Sequence, residues 1–268
     1  MMKKILIVTF SFLLVACSQN PITGRKQLTL LPDDQMNSMS LTEYQQFLTA
    51  NKTKVEKGGY DVPPPPPPPR QIAAAVTDYM SQIGMSDKMK QYSWEFNVVR
   101  DSVANAWCMP GGKVVVYSGL LPLTKNETGL AVVLGHEIAH AIASHGNERM
   151  SAQMLQELGF TALDAALASK PEKTRSIFEG AIGMGTELGI MLPFNRKQES
   201  EADRMGLIFM ALAGYNPNEA IAFWTRMAAQ NNGQKMPEFL STHPSDETRI
   251  NDIKNKYLPE ALKYYKNQ

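Results

Sequence analysis

Histidine is scarce in this chain, four in 268 residues, and three of the four, His136, His140 and His145, fall within ten positions of one another. Two of them flank a glutamate in Leu134-Gly135-His136-Glu137-Ile138-Ala139-His140, an H-E-x-x-H pattern inside a stretch with helical apolar spacing. Residues four apart on a helix share a face and lie about 6 Å apart along its axis. His136 and His140 can therefore point two imidazoles at one cation, a spacing suited to Zn²⁺. Glu137 is turned roughly 100° around the helix, beside that cation rather than on it. A general base for water belongs there, and the chemistry predicted is zinc-dependent hydrolysis of peptide bonds.

A catalytic zinc needs three protein ligands and one open position. The cluster Glu199-Ser200-Glu201-Ala202-Asp203 stands out among the acidic residues. Glu199 and Asp203 share one helical face, whereas Glu201 lies roughly 200° from Glu199. One carboxylate of that pair can bind zinc while the other accepts an N–H from a ligand histidine. Geometry alone does not choose this cluster over Glu148 or Glu179. His145 lies about 140° round from His140 and reads as a histidine suited to a helix C-terminus rather than as a ligand. His243, in a Thr-His-Pro step, stays open between three roles: stabilising an oxyanion, plugging the zinc's open position, or capping the final helix.

The elements that must position these groups are legible in outline. Thr124-Lys125-Asn126-Glu127 reads as a capping box that opens the HEIAH helix, with Leu130, Val133, Leu134, Ile138 and Ala141 as its apolar stripe. Asn195-Arg196-Lys197-Gln198 reads as an N-x-x-Q variant that opens a second helix, carrying Glu199 to Leu212 and stopping at Gly214. Ser40-Leu41-Thr42-Glu43 predicts a helix to about Lys54, and another begins at Gln71 and stops at Gly84. Between them, Pro63 to Pro69 predict an extended polyproline spacer about 22 Å long. Trp94–Val99 and Lys113–Tyr117 are the strand candidates. If Val114, Val115 and Val116 form a free sheet edge near the cleft, an extended peptide can pair with them. The fold class expected is α+β, mostly helical, with a small sheet beside the HEIAH helix.

Formal net charge is +1, which excludes a strongly basic nucleic-acid binder. The two cysteines, Cys17 and Cys108, support neither a disulfide framework nor a Cys₄ zinc site. Lys3 and Lys4 precede an apolar run, Ile5 to Ala16, too short to span a bilayer comfortably. It ends Leu14-Val15-Ala16-Cys17, which resembles a bacterial lipoprotein signal with cleavage before Cys17 and lipid on its sulfur. The organisation predicted is a signal peptide over 1–16, then a lipidated tether, N-terminal helix and polyproline spacer over 17–70. A zinc metallopeptidase domain follows over 71–268. The address predicted is an outer-membrane lipoprotein facing the periplasm.

HEIAH followed by Glu-Ser-Glu-Ala-Asp resembles the metallopeptidase family of HtpX-type heat-shock proteases and CAAX-prenyl proteases. Asn105-Ala106-Trp107-Cys108-Met109-Pro110-Gly111-Gly112 is similar to that family's N-A-x-x-x-P-G-G stretch. Asn20-Pro21-Ile22-Thr23-Gly24-Arg25 and Ser241-Thr242-His243-Pro244 resemble its periplasmic lipoprotein branch, the LoiP- and BepA-like proteins. The resemblance implies a zincin-like (gluzincin) fold holding one zinc, with Glu199 as third ligand and Asp203 as the carboxylate that braces a ligand histidine or serves as proton donor. It adds Asn105 and Ala106 to the substrate-binding candidates and implies hydrolysis of unfolded or misassembled envelope proteins. Expected partners are those polypeptides, the membrane through Cys17, and the outer-membrane assembly machinery. A non-enzymatic chaperone or assembly factor on the same fold is the competing expectation, and retention of Glu137 favours the enzyme.

Overall fold

The computed structural model describes residues 17–56, 68–167, 192–229, 239, 243 and 247–266. Strands β1 (Cys17–Gln19) and β2 (Lys26–Leu28) precede helix α1 (Asp33–Ala50) and strand β3 (Val55–Glu56). Helices α2 (Pro68–Gln82) and α3 (Ser86–Lys90) lead into strands β4 (Glu95–Val99), β5 (Ala106–Met109) and β6 (Lys113–Tyr117). A short α4 (Leu121–Thr124) opens the helical half, with α5 (Glu127–Ile142), α6 (His145–Leu167), α7 (Leu192–Leu212) and α8 (Glu219–Ala229). Helix α9 (Glu247–Asp252) continues through a π-turn over Ile253–Tyr257 into α10 (Leu258–Ala261). The architecture is α+β and mostly helical.

Helix α5 is the element the others enclose. Every residue from Gly129 to Ile142 is buried, so the apolar stripe read from the sequence understates it. Its composition is apolar nearly all round, as a helix at the centre of a core requires. The helix α7 is its most extensive partner, with α2, β5 and α8 around the rest. Two glycines set how close α5 and α7 come. A Cβ on Gly135 would sit 2.5 Å from the Gly206 carbonyl oxygen, and one on Gly206 would sit 2.7 Å from the His136 amide nitrogen. The backbones thus touch next to His136, which brings the acidic face of α7 within reach of both HEIAH histidines. The N-cap of α5 is Asn126, whose side chain accepts from the Gly129 amide at 2.9 Å, in place of Thr124.

The larger sheet has the order β3-β4-β6-β5. Strand β6 runs parallel to β4, with Glu95 opposite Lys113, and antiparallel to β5, with Ala106 opposite Val116. The turn between β5 and β6 needs left-handed backbone at Gly111 (φ 82°) and Gly112 (φ 86°). Ala106, Val114 and Val116 face the main core, while Val115 and Val99 face Tyr44 of α1. Helix α1 closes that second face, with Phe47 edge-on to Trp107 at 5.0 Å between ring centres.

Several sequence expectations change. Strand β6 is paired on both sides, so Val114, Val115 and Val116 are not a free edge; the outer strand on that flank is β5. The alternating pattern that marks a strand is absent from Ala106–Met109, which is why β5 goes unread. Helix α1 begins after Pro32, leaving Ser40 buried in mid-helix rather than at a cap. Helix α7 begins at Leu192, ahead of Asn195. Pro68 and Pro69 form the first turn of α2, where a missing N–H costs nothing; Pro63 to Pro67 lie outside the described residues. So do residues 1–16 and the side chain of Cys17.

The segment expected to be a tether packs instead. Gln27 Nε2 donates to the Ala143 carbonyl at 2.8 Å, the Leu30 amide to Ser151 Oγ at 2.8 Å, and Asn147 Nδ2 to the Leu31 carbonyl at 2.7 Å. These bonds lay the β1–β2 hairpin and its exit across the junction of α5 and α6. Among the described residues, no helix is long and apolar enough to cross a membrane.

Candidate metal centre

Helix α5 presents His136 and His140 one turn apart, α7 presents Glu199, and the residue His243 approaches from beyond α8. One atom from each of these four residues lies within 4.8 Å of the others. His136 Nε2 is 3.1 Å from His140 Nε2 and 3.3 Å from Glu199 Oε2, and His140 Nε2 is 3.2 Å from Glu199 Oε1. His243 Nδ1 is 3.2 Å from His136 Nε2 and 2.9 Å from Glu199 Oε2. Ligand atoms around a tetrahedral Zn²⁺ with bonds of about 2.0–2.1 Å are ~3.3 Å from one another. The donor set fits such an ion in both chemistry and spacing.

Glu137 lies beside this group rather than in it. Its Oε1 is buried and has no hydrogen-bond partner; the nearest cationic candidate is His243 Nε2 at 3.3 Å. Burial raises the Glu137 carboxyl above its ordinary value, against the pull of His243 and His136. An unpartnered carboxylate oxygen inside a protein is costly unless something polar reaches it, and here it lies beside His243, one of the four grouped donors.

The surroundings orient the ligands. His136 Nδ1 is 3.0 Å from Asp203 Oδ1, a carboxylate–histidine pair that leaves Nε2 for the ion. Arg249 Nε and Nη2 donate to the two Asp203 oxygens at 2.8 and 2.7 Å, with its guanidinium 3.4 Å from the centre of the Trp224 ring. Burial opposes ionisation of Asp203, yet Arg249 and His136 outweigh it and hold the carboxyl below its ordinary value. Asp203 thus accepts from Arg249 on both oxygens. Burial likewise opposes charge on Glu199, but His136, His140 and His243 drive its carboxyl far below the ordinary range. His136, despite burial, is raised to about 9 by Asp203 and Glu199. Burial keeps His140 well below its ordinary value.

The structure brings together His136, Glu137, His140, Glu199, Asp203 and His243. Glu201 points away and joins a different cluster. Asn105 and Ala106 lead into β5, which lies against α5, whereas Val114–Val116 sit one strand further in. Arg249 went unread: nothing in its spacing marks it, because its partners are 46 and 113 positions away. His145 was misread. It is the first residue of α6, fully buried, with its ring bonded to His140 and Glu201.

The sequence profile of peptidase family M48 matches residues 67–257. The chain is 34% identical over 242 residues to the mitochondrial metalloendopeptidase OMA1 of Schizosaccharomyces pombe, covering 90% of this chain and 66% of that one. It is 31% identical over 270 residues to the mitochondrial metalloendopeptidase OMA1 of Homo sapiens, covering 97% of this chain and 49% of that one. The beta-barrel assembly-enhancing protease of Yersinia pestis is 32% identical over 168 residues, 61% of this chain and 34% of that one. The chain thus spans between a third and two thirds of these relatives. The predicted address is corrected here: the relatives that match most of this chain are mitochondrial proteins, which points away from an outer-membrane lipoprotein facing the periplasm. A leader of basic residues, an apolar run and one cysteine did not carry that inference. The match extends over most of the chain and includes HEIAH, the Glu199–Asp203 cluster and the strands beside them, and on that ground the chain belongs to peptidase family M48.

Proposed function

We propose that this chain is a zinc-dependent endopeptidase that cleaves unfolded or misassembled polypeptides in extended conformation. The observation that carries this reading is the convergence of His136, His140, Glu199 and His243 donor atoms within 4.8 Å, with the unpartnered Oε1 of Glu137 beside them. His136, His140 and Glu199 would hold the zinc, and His243 lies against the same donor atoms. A bound zinc supplies Lewis acidity to the scissile carbonyl and lowers the pKa of water towards ~7.

The protein's own residues do the rest. Glu137 accepts the proton of the attacking water and delivers it to the leaving amine. Burial, which raises its carboxyl above the ordinary value, favours the proton it must take up. Asp203, braced by Arg249, holds the His136 ring with Nε2 inward. His243, 3.3 Å from Glu137 Oε1 and 2.9 Å from Glu199 Oε2, would either move aside to admit substrate or stay to donate to a developing oxyanion. Among the described residues no strand pairs with the outer side of β5, so Asn105 and Ala106 border an edge where an extended peptide can add by main-chain hydrogen bonds. Backbone recognition of this kind favours unfolded segments over a particular sequence.

The test is hydrolysis of a reduced, alkylated protein by the purified chain. Activity that is lost on chelation and restored by one equivalent of zinc is expected. Cleavage that survives removal of all metal would overturn the reading.

A further inference from the structure

His140 offers Nε2 to the metal centre, and its other nitrogen, Nδ1, meets no carboxylate or carbonyl among the described residues. It lies 2.8 Å from Nδ1 of His145. The far side of the His145 ring, Nε2, is 2.9 Å from Glu201 Oε2. Arg25 Nε donates to that same oxygen at 2.7 Å, and the Thr23 hydroxyl donates to Glu201 Oε1. Both Thr23 and Arg25 belong to the β1–β2 hairpin region, 176 or more positions from Glu201.

The protons on this line can be assigned in only one way if Nε2 of His140 is to bind an ion. With Nε2 bare, His140 carries its proton on Nδ1 and donates it to His145 Nδ1. His145 must then be bare at Nδ1 and carry its proton on Nε2, which it donates to Glu201. Glu201 must accept, and the cationic Arg25 keeps it an acceptor. A neutral imidazole has one N–H, and what the other nitrogen meets decides which one bears it. If Glu201 could not accept, His145 would be free to carry its proton on Nδ1. Two N–H groups would then face each other, and His140 would turn or move its proton onto the ligand nitrogen.

We propose that Glu201 and His145 form a relay, anchored by Arg25, that fixes the tautomer and ring orientation of His140 for the metal, making the N-terminal hairpin part of the metal centre. This rests on the zinc reading above. Helix α7 thereby serves both ligand histidines from two sides: Asp203 braces His136 directly, and Glu201 braces His140 through one intervening ring. Glu148 shares Arg25 with Glu201, taking its Nη1 and Nη2 at 2.6 and 2.7 Å, but it touches neither histidine of the relay.

Zinc affinity measured by competition with a chromophoric chelator, together with the visible spectrum of the Co²⁺-substituted protein, tests the relay without recourse to activity. Glu201→Leu, which leaves no acceptor for His145, should bind one zinc about 10–100-fold more weakly than the parent and shift the Co²⁺ ligand-field bands, the range found when such partners are removed. Arg25→Lys, which keeps a cation on the carboxylate, should retain more affinity than Glu201→Leu. Glu148→Gln loosens the same ion-pair network while leaving Arg25 Nε on Glu201, and should stay within about twofold of the parent, well under the 10–100-fold expected of a relay residue. Parental affinity and spectrum in Glu201→Leu would overturn the relay, as would an equal loss in Glu148→Gln, which marks the cluster as structural only. Should Glu201→Leu not fold, His145→Phe, which removes the ring that receives the His140 proton, must weaken zinc for the relay to stand. A parent chain that binds no zinc at all would instead defeat the underlying reading.

Discussion

Two clusters of histidine and carboxylate lie side by side on α5, α6 and α7, and they meet at His140. The inner one gathers His136, His140, His243 and Glu199; the outer one gathers His145, Glu201 and Glu148 around Arg25. Their residue types are nearly the same and both are largely buried. They differ in what balances the carboxylates. In the outer cluster a guanidinium occupies the centre and gives Glu148 both Nη donors and Glu201 its Nε, so the group is complete without anything added. In the inner cluster the donor atoms face one another at 2.9–3.3 Å, and the neighbouring guanidinium of Arg249 is spent mainly on Asp203. A buried charge must be paired or ligated. The outer cluster pairs its charge internally, and the inner one is built for a cation from outside.

This contrast gives a graded set of expectations. The largest effect should come from Glu199→Ala, which removes the only carboxylate within the inner set. Metal content measured by atomic emission should fall from one equivalent to near zero, and hydrolysis should fall to background. Retention of a full equivalent would assign the third ligand elsewhere. The counterpart in the outer cluster is Arg25→Met, which leaves Glu148 and Glu201 buried without their shared cation. Stability in urea should drop by about 3 kcal/mol, the scale for breaking a buried ion pair, whereas the protein that folds should still contain metal. Loss of metal stoichiometry without loss of stability would blur the distinction between the clusters.

A smaller effect concerns pH. In the metal-free inner cluster His136 holds its proton up to about 9, with Asp203 and Glu199 outweighing burial. Metal must displace that proton at any lower pH, so apparent zinc affinity should rise with pH by about tenfold per unit and level off above His136's value. Flat affinity between pH 6 and 8 would contradict this. The outer cluster runs on a carboxylate. Burial opposes the charge of Glu201, yet His145, Thr23 and Arg25 hold its carboxyl below the ordinary 4.5. A depressed carboxyl contributes stability that is present above its unfolded value and lost as pH falls through its folded one. Acid unfolding of Arg25→Met should therefore begin at a higher pH than that of the parent, a difference visible by circular dichroism.

The inner cluster was far more legible in the sequence than the outer one, for a physical reason. HEIAH and the Glu199–Asp203 pair each lie on one helix, where a four-residue spacing fixes a shared face, so local periodicity alone aligns the donors. The relay through His145 and the brace from Arg249 depend on chain crossings: Arg25 meets Glu201 across 176 positions and Arg249 meets Asp203 across 46. No periodicity encodes those distances. The same limit explains β5, whose residues are apolar on both faces, Ala106 and Cys108 toward the main core and Trp107 and Met109 toward Tyr44, so that no polar alternation marks it. The N-terminal segment misled for the opposite reason: its Pro, Gly and polar residues have the composition of a linker, yet they form a tight hairpin whose polar groups find partners on α6 and α7.

The most direct test of the central claim is metal content and hydrolysis of an unfolded protein, measured on the parent chain and on Glu137→Gln in parallel. Both proteins should hold one zinc, because Glu137 stands beside the donors and not among them. Cleavage should fall by about 10²–10⁴-fold in the variant, the share expected of a positioned general base. Equal cleavage by the two would remove Glu137 from the chemistry, and loss of zinc from Glu137→Gln would place that residue among the ligands and contradict the geometry described above.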